Sequence, residues 1–139
     1  MIRFLLQGFN SMQTPEQTIT KLHYHQFSKI LDVHLDDGTI YAITPELLRV
    51  FSPSAEVRGH GEGQQKLVIN KQDVAIEKLL YVGNYAVKIV FDDGHDSGIY
   101  SWKYLIDLAL NTEHYQQQYA DALAALKVNP DDAITIKPA

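Results

Sequence analysis

Hydrophobic and polar residues alternate along much of the chain, which is typical of β-strands with one buried face. The clearest case is residues 29–35, where Leu31 and Val33 would face one way and Asp32 and His34 the other. The same pattern predicts further strands over residues 18–25, 39–43, 66–70, 74–82, 85–91 and 99–101.

Two Asp-Asp-Gly sequences, residues 36–38 and 92–94, each connect two of the predicted strands. Glycine tolerates a positive φ and aspartate accepts hydrogen bonds from nearby backbone, so both sequences predict tight turns. Paired carboxylates can also bind metals or act as acid and base, but the turn is the favoured interpretation. Each turn is followed by a strand and a predicted helix. The chain therefore contains two copies of a hairpin-plus-helix unit, which predicts an α+β fold built on antiparallel β-sheet.

Three residues are suitable helix N-caps, namely Thr44, Ser101 and Thr112. The helices that they predict run from Pro45 to about Phe51, to Leu110, and to about Leu126. In the last helix four apolar residues share one face at helical spacing, Tyr115, Tyr119, Ala122 and Leu126. We interpret this stripe as packed on the domain, with a groove for a partner or a second copy as the alternative.

The predicted elements form one domain, residues 17–126, since a chain of this length fits a single core. Residues 1–16 are expected to be a flexible extension, of which residues 1–11 are interpreted as disordered or not native. Residues 127–139 contain two prolines and are expected to form a loose tail.

Composition narrows the classes of function. The chain of 139 residues has no cysteine and a net charge of −5, with its lysines and arginines scattered singly. The missing cysteines exclude disulfides and thiolate metal sites and fit a cytoplasmic protein. Nucleic-acid binding needs a basic stripe that is not visible, and no apolar run reaches the about 20 residues needed to cross a bilayer.

No complete catalytic motif is present, so we expect a non-enzyme without a bound cofactor. The loop of residues 58–63 alternates glycine with Arg58, His60 and a glutamate, a pattern that could bind an anion or simply form a mobile loop. His23 and His25 share one strand face at a spacing suited to a two-histidine metal site, although a solvated face explains them equally well.

Two blocks closely resemble a family of short bacterial proteins of unknown function that is named for the N-terminal domain of γ-butyrobetaine hydroxylase. They are residues 47–61, LLRVFSPSAEVRGHG, and residues 82–102, which include FDDGHDSGIYSW. The resemblance covers roughly residues 17–110. Similar domains accompany iron–sulfur carrier ATPases in some larger chains, which implies a cofactor-assembly context.

The resemblance also implies where a metal would have been. In the hydroxylases this domain holds a structural zinc through three cysteines and a histidine. The matching positions here are Ser52, Ser54, Val57 and His95, so the zinc ligands are lost except the histidine. Serine hydroxyls stay protonated near neutral pH and bind zinc poorly. We therefore expect no metal, and we expect His95 to pack against residues 52–57 and hydrogen-bond a serine hydroxyl or a backbone carbonyl.

These observations favour a non-catalytic binding or accessory domain with another protein as its partner. The candidate contact residues are Arg49, Arg58, His60, His95 and Trp102, which lie in or beside the two blocks. One alternative is a metal-binding module that uses His60, His95 and nearby carboxylates. Another is a subunit that only oligomerises through its C-terminal helix.

Overall fold

The computed structural model describes residues 17–54 and 67–128. The first unit comprises β1 (Ile19–His25), β2 (Ile30–Leu35), β3 (Ile40–Ile43) and α1 (Pro45–Val50). The second comprises β4 (Ile76–Val82), β5 (Ala86–Phe91), β6 (Gly98–Ser101) and α2 (Trp102–Leu110), and α3 (Thr112–Val128) follows. The predicted α+β fold with two strand-and-helix units and a C-terminal helix is confirmed. The expected extension, most of the expected tail, and Val57, Arg58 and His60 lie outside the described residues.

The strands form two antiparallel sheets of three strands each, in the orders β1-β2-β3 and β4-β5-β6. The pairing register shifts at the same place in both sheets, between Ile19 and Lys21 in β1 and between Ile76 and Lys78 in β4. Such a bulge bends the strand and increases its twist. The two units are therefore alike in detail as well as in element order.

Both Asp-Asp-Gly turns have the glycine conformation that was predicted, with φ of 90° at Gly38 and 92° at Gly94. In each turn the first aspartate accepts from the backbone N–H just before the sheet's first strand, and the second accepts from the N–H two residues later. These bonds are Thr18 to Asp36, Thr39 to Asp37, Ala75 to Asp92 and His95 to Asp93. The aspartate carboxylates thus stabilise the two turns by accepting backbone hydrogen bonds, which explains why Asp-Asp-Gly occurs twice in the sequence.

Two local predictions were wrong. Residues 67–70 form no strand, because Asn70 has a φ of 62° and turns the chain before a ladder can form. Thr112 does not cap α3. Only Asn111 separates α2 from α3, so the Thr112 hydroxyl instead donates to the last carbonyls of α2, at Leu108 (2.8 Å) and Ala109 (3.0 Å). Thr44 and Ser101 do cap α1 and α2, each accepting from a backbone N–H three residues later.

The core draws on both units. The buried β2 residues Leu31 and Val33 belong to one apolar cluster with Ile89 of β5 and Leu105 of α2. Helix α2 packs against β3 of the first unit, and α3 contacts both other helices. Tyr115, Tyr119 and Ala122 of α3 are half-buried, whereas Leu126 is 47% exposed. None of the helices in the described part is long and apolar enough to span a membrane.

Candidate functional site

Three polar side chains meet in the interior where the end of α1 faces the turn between β5 and β6. Ser52 and Ser54 follow α1, and His95 follows the second Asp-Asp-Gly turn. The His95 Nε2 atom lies 2.9 Å from Ser52 Oγ and 3.5 Å from Ser54 Oγ. All three residues are buried, with Ser52 only 1% and His95 6% exposed. The predicted contact of His95 with a serine hydroxyl in residues 52–57 is confirmed.

Gly98 and Tyr100 of β6 complete the wall around Ser52. A Cβ atom on Gly98 would lie 2.4 Å from Ser52 Oγ, so only glycine leaves room for the serine. The Tyr100 hydroxyl donates to the Leu48 carbonyl at 2.5 Å. Burial raises the pKa of Tyr100, and a hydrogen bond with Ser52 offsets this in part, so the phenol stays protonated as a donor. The end of α1 is thereby tied to β6.

The Ser52–His95 distance is that of a nucleophile and its base, but the surroundings do not support catalysis. Ser52 is almost completely buried, so a substrate carbonyl cannot reach its Oγ. Asp93, the carboxylate nearest in sequence, accepts from the backbone N–H of His95 at 3.0 Å. The arrangement therefore satisfies buried polar groups and stabilises the fold.

The donors at this cluster do not fit zinc. Two hydroxyls and one imidazole replace the thiolates and imidazole of a structural zinc site, and neutral hydroxyls are poor zinc ligands. Ser52 Oγ and His95 Nε2 already satisfy each other through a hydrogen bond. In residues 17–54 and 67–128, no group of three histidine, cysteine, aspartate or glutamate residues is placed to hold a metal ion.

Asp93 also joins two cations from different parts of the chain. Its Oδ2 atom lies 2.9 Å from Arg49 Nε and 2.7 Å from Lys71 Nζ. Burial alone would raise the pKa of Asp93, but hydrogen bonds from Lys71, His95 N–H and Arg49 hold it well below its usual value. Arg49 Nη1 is buried and lacks a hydrogen-bond partner within the described part of the chain. Arg49 thus forms a structural ion pair with Asp93, and its Nη1 atom has no acceptor among the described residues.

Trp102, the fifth candidate residue, is the first residue of α2 and is half-buried. Its indole Nε1 donates to the Asn84 carbonyl at 3.0 Å, and its ring packs edge-on against Tyr81 with 6.2 Å between centroids. Both rings line a cavity of about 310 Å³ between the two sheets. Tyr81 is 83% exposed and Trp102 is half-buried, so the cavity is lined by one solvent-facing aromatic ring and one that packs partly against the core.

The two histidines of β1 occupy the outer face of the first sheet, as predicted. Their rings stack with centroids 4.3 Å apart, and His25 Nε2 lies 2.7 Å from Asp32 Oδ2 on the neighbouring strand. His25 is therefore paired with a carboxylate. A metal site at this pair stays a prediction.

Sequence reasoning missed Gly98, Lys71 and Tyr81. Gly98 had a usable signal, because a glycine that opens a strand often marks a close approach of another segment. Tyr81 lies in a run of apolar strand residues, and Lys71 lies directly before a turn. Nothing local distinguished these two, since their roles depend on what the fold brings near them.

The fold and these contacts define a small α+β domain whose buried polar residues hold its two strand-and-helix units together. The chain belongs to the gamma-butyrobetaine hydroxylase-like, N-terminal family, whose model matches residues 22–106. No curated protein matches the chain.

Solved structures agree with this assignment. One structure determined by NMR in solution shares 47% sequence identity and a TM-score of 0.69, over 83% of this chain and 86% of that one. Another NMR structure shares 35% identity and a TM-score of 0.65, over 90% and 100%. A crystal structure of a protein of unknown function from Acidithiobacillus ferrooxidans shares 32% identity and a TM-score of 0.55, over 66% and 91%.

Proposed function

We propose that the chain is a non-catalytic binding or accessory domain that works by contacting another protein. One observation carries this proposal, namely the cavity between the sheets that is lined by the exposed Tyr81 and the half-buried Trp102. Exposed aromatic side chains beside a concave apolar surface are typical anchors of protein contacts. The most enzyme-like pair, Ser52 and His95, is buried and mutually hydrogen-bonded, which supports a binding role over a catalytic one.

The contact residues in this proposal fall into two groups. Trp102, together with Tyr81, forms the aromatic part. Arg49, which is half-buried, forms the second group with Arg58 and His60 of the glycine-rich loop, while His95 supports this group from the interior. A role in cofactor or iron–sulfur assembly in the cytoplasm is part of the proposal, and the cysteine-free sequence supports that compartment.

The proposal is tested by quantitative affinity purification of the tagged chain from its native cell. Tyr81→Ser removes the most exposed aromatic residue that lines the cavity, and Phe27→Ser is the matched control, since Phe27 is 104% exposed in the turn after β1. We expect a partner that is retained by the wild type and by Phe27→Ser but lost with Tyr81→Ser. Identical sets of bound proteins for all three would overturn the proposal.

A further inference from the structure

The cavity beside Trp102 has walls of two kinds. From β4 it is lined by Leu79 and Tyr81, which are alternate residues and so belong to one face of that strand. From β1 it is lined by four consecutive residues, 19–22. The bulge between Ile19 and Lys21 breaks the alternation of side chains there, but Lys21 and Leu22 are consecutive in the regular ladder and point to opposite faces. A cavity that both of them line borders the edge of the strand. The cavity therefore lies along the edge of β1.

That edge is unpaired within residues 17–54 and 67–128. Of the strands in this part of the chain, β1 is the terminal one of its sheet and pairs with β2 alone. Among the described residues, the backbone groups of residues 19–22 have no hydrogen bonds outside this ladder. The far end of β1 is attached to the second sheet, because the Tyr24 hydroxyl accepts from the Ile76 N–H at 3.2 Å. As far as the described residues show, the first half of this edge is open, and near its other end the Tyr24 side chain connects β1 to β4.

The side chains of β1 determine what could pair there. Leu22 faces the interior beside the cavity, whereas Lys21 and His23 lie opposite His34 and Asp32 on the outer face. Lys21 has no ion-pair partner within the described part of the chain. A strand added along this edge would place alternate residues in the cavity and the others beside Lys21 and His23. Opposite charges on neighbouring strands attract, so the second set should be acidic.

Resting on the proposed function, we propose that the open edge of β1 binds an extended segment of the partner protein in which apolar residues alternate with acidic ones. The segment adds a fourth strand to the sheet β1-β2-β3 and places an apolar side chain against Leu79 and Trp102. A second copy of this chain is a poorer occupant. Antiparallel pairing of two β1 strands would bring Lys21 and the histidines of both copies onto one strip, where like charges repel.

The test uses the isotope-labelled full chain and a blocked peptide of about nine residues that alternates valine with glutamate around a central phenylalanine. When the peptide is bound, NMR should show that the β1 backbone amides pointing away from β2 exchange their hydrogens more slowly, by about tenfold or more. The same peptide with N-methylated backbone should bind poorly, because it keeps the side chains but cannot donate the ladder hydrogen bonds. Binding by the methylated peptide with unchanged β1 amides would overturn the inference.

Charge is tested with a matched pair of variants. Lys21→Glu should lower the affinity for the glutamate peptide by up to about tenfold. It should raise the affinity for a peptide with lysine in place of glutamate. Lys78→Glu is the control, since Lys78 is exposed on β4 and does not line the cavity. Equal effects of the two variants would contradict the proposed pairing.

The other occupants give distinct results in the absence of peptide. Protection of β1 amides that grows with protein concentration would show pairing of two copies. Protection that is already present and independent of concentration would show that a segment of the same chain covers the edge. Either result overturns the inference. A partner that needs Tyr81 for binding but leaves the β1 amides unprotected would contradict the inference and leave the proposed function intact. If no partner needs Tyr81 for binding, the proposed function itself is contradicted.

Discussion

Gly98→Ala should destabilise the protein through one identifiable contact. The new Cβ atom would lie 2.4 Å from Ser52 Oγ and 3.1 Å from Tyr100 Cε1. Ser52 and Tyr100 are both buried, so neither has free space into which to move. Gly98 is not among the glycines with positive φ, and alanine therefore brings no backbone strain. The cost of the substitution comes from packing alone.

The magnitude follows from what Ser52 must do. Overpacking of a filled core costs about 1–3 kcal/mol. If Ser52 rotates away instead, the buried His95 imidazole loses its 2.9 Å hydrogen bond to Ser52 Oγ. That loss also costs about 1–3 kcal/mol. We therefore expect Gly98→Ala to lower the free energy of unfolding by about 2 kcal/mol. In a Ser52→Ala background the nearest remaining atom of residue 52 is Cβ at 3.6 Å, an ordinary contact, and only the 3.1 Å approach to Tyr100 Cε1 is left. The same substitution should therefore cost about 1 kcal/mol less in that background.

Urea denaturation of the wild type, both single variants and the double variant measures this coupling. Trp102, the one tryptophan, supplies the fluorescence signal. Gly94→Ala is the control, because Gly94 has a φ of 92° and a Cβ atom added there would meet no other atom within 4 Å. Its cost of about 1 kcal/mol should be the same in the wild-type and Ser52→Ala backgrounds. If Gly98→Ala costs equally much in both backgrounds, the close approach to Ser52 is not what requires glycine.

Gly94→Val should cost more than about 1 kcal/mol, because a β-branched residue is strained at this positive φ, and an unchanged denaturation midpoint would show that the turn does not need glycine. Asp93→Asn should lower the free energy of unfolding by about 1–3 kcal/mol at neutral pH by weakening the contacts to Arg49 and Lys71. The pKa of Asp93 in the folded protein is held well below its ordinary 3.8. The ionised Asp93 side chain therefore adds to the free energy of unfolding above about pH 4, and this stabilisation is lost as the pH falls further. The variant should therefore lose less stability than the wild type on acidification below pH 4, and parallel acid profiles would refute this. Treatment with a chelator should leave the melting temperature unchanged, whereas a fall of many degrees would reveal a structural metal.

The sequence alone determined the features that depend on neighbouring residues. Strand alternation, the two Asp-Asp-Gly turns and the N-caps Thr44 and Ser101 are local, because each is satisfied by atoms a few positions away. The repeat of the strand-and-helix unit followed from the same local signals. The neighbourhood of His95 and residues 52–57 was predicted only through the family resemblance, since no local pattern connects positions 43 residues apart.

The tertiary structure decided what depends on distant partners. The apolar residues 67–69 have strand-like composition, but next to the positive φ of Asn70 they join neither sheet of the described part of the chain. Gly98 acquires its role only when the segment after α1 approaches β6, and Tyr81 only when β1 and β4 border the same cavity. Ser52 and His95 are polar residues whose burial no sequence pattern indicates. Their position depends on the fold, because desolvating a hydroxyl and an imidazole is tolerated only where each meets the other.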